Sequence, residues 1–342
     1  MLLNDPGRLM DNAAAPGLDP FHERQPRRCE ARQDLLGGRF HFASDSEALL
    51  GLVEAAYAGV PAHRLPGAPE FRIELDLLPP RAEPYYPEPP PLRTHSGAGV
   101  LCGVIDDRNY VLISPAERRA LVVVSEDMLA HPYHVRYELI EFAVFVLAAR
   151  GMGLVPLHGA CVGWQGRGVL LLGQSGAGKS TLALCSLLRG LDFLAEDGVF
   201  VEPESQQVTG IANFLHLRPD VLGRVDAATR SWIAASPQIR RRSGVEKFEV
   251  DIRQGRGRLA SAPLQLAGAV FVSAIPAPPG EPLLEPMPQE QIARWLADDQ
   301  PYAVGQPGWA AFVQTLLQTG VYRLRRGPDP EAAVDALLQL LG

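Results

Sequence analysis

Arg167-Gly168-Val169-Leu170-Leu171-Leu172-Gly173-Gln174-Ser175-Gly176-Ala177-Gly178-Lys179-Ser180-Thr181 reads as an apolar strand, a glycine-rich loop and the first turn of a helix. The helix continues through Leu182-Ala183-Leu184-Cys185-Ser186-Leu187-Leu188-Arg189. Residues 173–180 fit G-x-x-x-x-G-K-S in the strand–loop–helix setting that gives this motif its meaning. Glycines let the backbone curl so that successive N–H groups face phosphate oxygens. The helix N-terminus adds partial positive charge. The segment Gly173, Gln174, Ser175, Gly176, Ala177, Gly178, Lys179, Ser180 and Thr181 is therefore expected to bind a nucleoside triphosphate. Lys179 would reach the β- and γ-phosphates, and the Ser180 hydroxyl would ligate Mg²⁺, a hard cation that prefers oxygen.

Outward from the loop, the segment Gly190-Leu191-Asp192-Phe193-Leu194-Ala195-Glu196-Asp197 is a second apolar strand ending in paired carboxylates. Carboxylates at such a strand end hold Mg²⁺ and position the nucleophile in enzymes that carry this loop. Upstream, His158 lies fifteen residues before the first loop glycine. The basic residues are 30 Arg and only two Lys, Lys179 and Lys247. A compact ammonium and a planar guanidinium are not interchangeable at a tight phosphate site, so retained lysines mark candidate phosphate contacts.

The chain has 342 residues, 46% apolar and 21% charged, with a net charge of −7. That size suggests two domains or one domain with an appendage. The acidic balance disfavours a generic nucleic-acid binder. No apolar run reaches the length of a membrane span; Phe142–Ala149 is the longest candidate. Met1–Pro20 lacks a basic start and apolar stretch, so no secretory signal is read. Cys29, Cys102, Cys161 and Cys185 form no C-x-x-C pair, which disfavours zinc and dithiol chemistry and fits reduced thiols in a cytoplasmic protein.

Periodicity divides the chain. Residues 1–37 read as a mobile tail, and 38–132 as an α+β module with a proline-rich linker at 79–91. Residues 133–342 read as the catalytic domain. Within the module, 46–57 has helical spacing, 71–77 alternates as a strand, and 99–125 reads as a three-stranded meander. Helices are expected near 133–150, 289–298, 309–319 and 330–341, with a strand at 321–325.

Residues 157–199, from His158 through the loop to the Glu196-Asp197 pair, resemble the catalytic core of the HPr kinase/phosphorylase-related serine kinases. The similarity continues in order through FLHLRPDVL (214–222), GVEKFEVDI (244–252), PLQLAGAVFVSA (263–274) and VYRLRRGPDPEAAVDALL (321–338). It runs from about Glu138 to the C-terminus. The resemblance implies a central mixed sheet with flanking helices, in the manner of HPr kinase and phosphoenolpyruvate carboxykinase, with the smaller module in front. It implies an ATP- and Mg²⁺-dependent kinase acting on a serine hydroxyl. By position, Asp197 would take the metal role with Ser180. Glu196 would be the general base. His158 would sit near the transferred phosphoryl group, and Arg218 and Lys247 would offset its charge.

Three departures stand out. Glu196 replaces the usual Asp, Phe248 replaces the second residue of a basic pair, and the Glu-Arg-Gly segment of the bifunctional enzymes is absent. The last argues against HPr as substrate and against the phosphorylase reaction. The wider group includes kinases of ribosomal peptide precursors, so a peptide or protein acceptor is expected, with no nucleic-acid or membrane partner. Family members oligomerise, which implies self-association. The alternatives are a small-molecule kinase and a nucleotide-gated module or NTPase without an acceptor. The L-S-G-G-Q and N-K-x-D segments of ABC proteins and GTPases are absent.

Overall fold

A computed structural model describes residues 27–85, 87–327 and 329–342. It is a mixed α/β structure with three sheets. The first has seven strands in the spatial order Cys29–Leu35, Gly38–Ser44, Glu70–Leu78, Arg119–Ser125, Tyr110–Ser114, Val100–Val104 and Arg93–Gly97. Residues 1–26 of the expected tail lie outside the described residues. Its last part does not behave as a tail: Cys29–Leu35 is an edge strand paired along its length with Gly38–Ser44. Leu36 and Gly37 turn the chain, both left-handed at φ 51° and 89°. Two such residues make the tight turn that matches strand twist. Leucine is an unusual residue there, which hid the hairpin in the sequence.

The helix Glu47–Tyr57 starts where the Ser46 side chain accepts from the Leu49 N–H. It crosses between two parallel strands, Gly38–Ser44 and Glu70–Leu78, and buries Leu49, Val53 and Tyr57 on the sheet. The expected meander is present with a fourth strand, Arg93–Gly97, added at its edge. The proline-rich stretch is fastened from both sides. Prolines cannot donate, so their carbonyls are open to guanidinium groups. Arg108 donates to Pro79 O at 3.1 Å, and Arg242 donates to Pro89 O and Pro90 O at 2.5 and 3.1 Å.

The helix expected at 133–150 is a composite. Pro132–His134 is α-helical, Val135–Ile140 is a π turn, and Glu141–Gly151 is α-helical again. Val135, Leu139, Ile140, Val144 and Leu147 share one core with the seven-stranded sheet. The sequence reading assigned this helix to the following domain, whereas its apolar side packs on the preceding one. π turns recur at functional sites, and this one sends Tyr137 and Glu138 toward the cleft described below, beside Tyr133 from the preceding turn.

The second sheet has ten strands. At its centre, Arg167–Leu172 lies between antiparallel Ala160–Trp164 and parallel Leu264–Pro276. Asp192–Ala195 flanks the first neighbour, and Val321–Arg326 runs parallel to the second. At one end of these strands thus lie, in order, Glu196 and Asp197, then His158, the glycine loop, Val272 and Arg326. The helices Lys179–Leu188 and Pro330–Leu341 share an apolar core against this sheet. The third sheet is small and antiparallel, Phe214–Leu217, Glu246–Asp251 and Gln238–Arg240, and it stands over the loop.

The N-terminal sheet and the ten-stranded sheet are joined by buried polar contacts. His63, 1% exposed, sits between Thr209 Oγ1 (3.1 Å) and Ala260 O (2.9 Å). Arg253 donates to Ala55, Ala56 and Ala58 carbonyls, closing the end of the helix Glu47–Tyr57. Among the described residues, no helix is long and apolar enough to cross a membrane.

Candidate active site

The loop has the backbone its glycines allow. Gly173, Gly176 and Gly178 have φ of 119°, 84° and 111°. A Cβ on Gly173 would come within 2.8 Å of Val272 O, so the turn admits no side chain there. Gly178 caps the helix Lys179–Leu188 in a left-handed conformation. Lys179 is buried, and its Nζ donates to Gly173 O and to Gln174 O (3.3 Å), folded over the loop. Burial pushes its ammonium below the ordinary value, while Asp299, Asp197 and Glu196 pull it back up.

The two strand-end carboxylates face different ways. Glu196 points inward: its Oε1 accepts from Ser180 Oγ at 2.5 Å, and its Oε2 accepts from the His216 backbone N–H at 3.3 Å and lies 3.1 Å from His216 Nδ1. Its side chain is only 3% exposed. Asp197 is left-handed at φ 68°, a conformation Asp tolerates better than most side chains and one that turns its carboxylate into the cleft. Gly198 follows, where a Cβ would meet the Phe145 ring at 2.8 Å. Asp197 pairs with Arg241 and lies 3.8 Å from His216 Nδ1. Burial works against its charge, yet Arg241, His216, Lys247 and His158 outweigh burial and hold it well below the usual carboxylate range. Burial likewise opposes the Arg241 charge, and Asp197 outweighs it.

Behind the carboxylates runs a polar chain that sequence reasoning missed. Tyr137 Oη lies 3.1 Å from His216 Nε2, and Arg136 grips both oxygens of Glu249 at 2.9 and 2.7 Å. Burial alone would lower the His216 imidazole; Glu196 and Glu249 outweigh it and raise it above its ordinary value. A second missed group comes from the end of the helix Gln289–Asp299. Asp299 Oδ2 accepts from Gly173 N–H at 3.2 Å and from Gln300 Nε2 at 2.7 Å. Gln300, 2% exposed, binds the His158 backbone N–H at 2.7 Å and O at 3.0 Å. One side-chain pair therefore fixes both the start of the loop and the His158 backbone.

These elements enclose a cleft of about 1060 Å³. His158, Ser175 to Thr181, Asp197, Arg218 and Lys247 all line it, so residues spread over ninety positions of sequence meet at one place. Arg218 lies against the loop, its guanidinium nitrogens 3.7 Å from where a Gly176 Cβ would stand. Gly173, Gln174 and Glu196 are not in the lining. For Glu196 the reason is its bond to Ser180, which draws the longer side chain beneath the helix start. Ser180, Glu196 and Asp197 offer a hard-oxygen set suited to Mg²⁺. Glu196, Asp197 and His216 place one ligand atom each within 4.8 Å of one another.

No family model matches the chain, and no curated protein does. Among solved structures it is similar to the HPr(Ser) kinase/phosphatase from Coxiella burnetii. The identity is 15%, over 55% of this chain and 99% of that one, with a TM-score of 0.28.

Proposed function

We propose that this chain is an ATP- and Mg²⁺-dependent kinase that passes the γ-phosphoryl group to a serine hydroxyl of a peptide or protein. The observation that carries the reading is the split between the paired carboxylates. Glu196 is held under the Ser180 hydroxyl, and Asp197 faces open cleft beside His158 and Lys247. A nucleotide-binding loop needs the first; phosphoryl transfer to an acceptor needs the second.

The roles expected from sequence are exchanged on this reading. Ser180 and Glu196 would hold the metal, directly or through water, with Asp197 beside them. Bound there, Mg²⁺ would supply positive charge that offsets the phosphate charge. Lys179 leaves the loop carbonyls for the phosphates. Asp197 orients the serine hydroxyl and accepts its proton. A weakly basic carboxylate suffices, because the transferred group is largely detached before the new bond forms. His158, Arg218 and Lys247 meet the charge spread over the phosphoryl oxygens.

The order of the elements along the cleft supports one direction for the nucleotide on this reading. Its γ-end lies toward Asp197, and the nucleoside lies on the opposite side of the loop, near Arg325 and Ala333. The acceptor then enters at the Asp197 end, past Tyr133, Glu138 and Arg242. The test is transfer of label from γ-labelled ATP to serine peptides, with Asp197→Asn and Lys179→Ala as controls. Label appearing only as free phosphate would remove the acceptor from this account.

A further inference from the structure

The seven-stranded sheet ends, on the side opposite Cys29–Leu35, in Arg93–Gly97. All five residues of that strand are exposed, and it pairs with Val100–Val104 alone among the described residues. The turn between them is Ala98 and Gly99, both left-handed at φ 49° and 77°. A two-residue turn of this kind makes Gly97 and Val100 a hydrogen-bonded pair, and the alternation of the ladder extends this to His95–Cys102 and Arg93–Val104. Thr94 and Ser96 therefore aim their backbone N–H and C=O groups out of the sheet, as an unused pairing edge.

This edge is continuous with the cleft. Three residues before Arg93, the Pro90 carbonyl accepts from Arg242 at 3.1 Å. Arg242 lines the cleft, and its neighbour Arg241 pairs with Asp197. Arg93–Gly97 runs away from that point, so a segment added antiparallel runs toward it. The outer face has a charge pattern too. Arg93 and His95 share that face with Val100, which is 37% exposed beside Gly97.

We propose that Arg93–Gly97 is the docking edge for the phosphoryl acceptor, an extended acidic peptide that adds as a further strand and leads its serine into the Asp197 end of the cleft. Main-chain bonds to Thr94 and Ser96 supply affinity, and alternate side chains supply specificity. An apolar residue lies beside Gly97 and Val100, and carboxylates face His95 and Arg93. The serine follows within about eight residues, the extended length needed to pass Arg242 and reach Asp197. The proposal rests on the kinase reading, but docking is measurable without catalysis.

The experiment is fluorescence anisotropy with a labelled peptide, VTETE followed by a Gly/Ser spacer of about seven residues ending in serine. The wild-type chain and Lys179→Ala should bind it alike. Thr94→Pro with Ser96→Pro should weaken binding at least about tenfold, because proline removes the outward N–H groups. A charge-reversed VTKTK probe on the wild-type chain should bind at least about tenfold more weakly, which needs no variant to fold. Equal binding of both probes, or unchanged binding to the proline variant, overturns the proposal. So does binding that appears only after residues 1–26 are deleted, or a dimer that the same prolines abolish, since either gives the edge another occupant. Binding as expected without phosphate transfer would sustain the docking edge and sink the kinase reading.

Discussion

The Ser180 hydroxyl donates to Glu196 Oε1 at 2.5 Å, and this bond withdraws Glu196 from the cleft that Asp197 faces. Adjacent carboxylates are thereby given different surroundings, and on the proposed reading different work. Glu196→Gln should raise the Mg²⁺ concentration needed for half-maximal nucleotide binding, with a smaller effect on turnover under saturating metal. Asp197→Asn should lower kcat by about 10²–10⁴, the range for loss of a proton acceptor, with little change in metal titration. Metal titrations of both variants check the split, and the reverse pattern would restore the assignment expected from the sequence.

The Gln300 side chain makes three hydrogen bonds from a nearly closed site, two to the His158 backbone and one to Asp299. Gln300→Leu leaves those partners unsatisfied, at a cost of about 1–3 kcal/mol each where no water replaces it. Chemical denaturation should show lower stability. Turnover should fall further than nucleotide affinity, because His158 loses its fixed backbone while Lys179 and the loop helix remain.

His63 is buried between the N-terminal sheet and the ten-stranded sheet, and burial holds its imidazole below the ordinary value near 6.5. Below pH 6.5 the unfolded chain takes up a proton that the folded chain refuses. Stability therefore falls as pH drops through that value toward the folded-state pKa, and is unaffected by this group above it. His63→Gln should flatten that part of the profile. Urea midpoints measured from about pH 5 to pH 8 read it directly.

Glu141 has the opposite sign. Burial pushes its carboxyl up to about 8, with His216 and Arg136 pulling the other way. The folded chain keeps a proton that the unfolded chain releases near 4.5, so stability declines as pH rises from 4.5 toward 8. Glu141→Gln removes the ionisable group and should gain relative stability across that window, on the order of a few kcal/mol at its upper end. A variant that tracks the wild type across this range would show that Glu141 is ionised in the folded chain.

The parts legible in the sequence are those whose meaning is local. A strand, a loop with glycines at fixed spacing and a helix announce themselves in fifteen residues, and the terminal helices follow from apolar periodicity. Glu196 and Asp197 were visible as a pair, but their division was not. It depends on a bond to Ser180, on the left-handed backbone of Asp197, and on His216 arriving from another sheet. His216 itself sits in Phe214–Leu217, an apolar strand where a histidine carries no signal. Asp299 and Gln300 end an ordinary amphipathic helix more than a hundred positions from the loop they secure. The π turn at Val135–Ile140 repeats apolar residues as an α-helix would, and only packing shows its wider winding.

The most direct test of the central claim is single-turnover transfer from γ-labelled ATP to a serine-bearing peptide, comparing the wild-type chain with Asp197→Asn and Lys179→Ala. Label on serine with the wild-type chain, a large loss with Asp197→Asn despite intact nucleotide binding, and none with Lys179→Ala is the expected result. Equal transfer by Asp197→Asn and the wild type, or release of free phosphate with no label on any acceptor, would contradict the account.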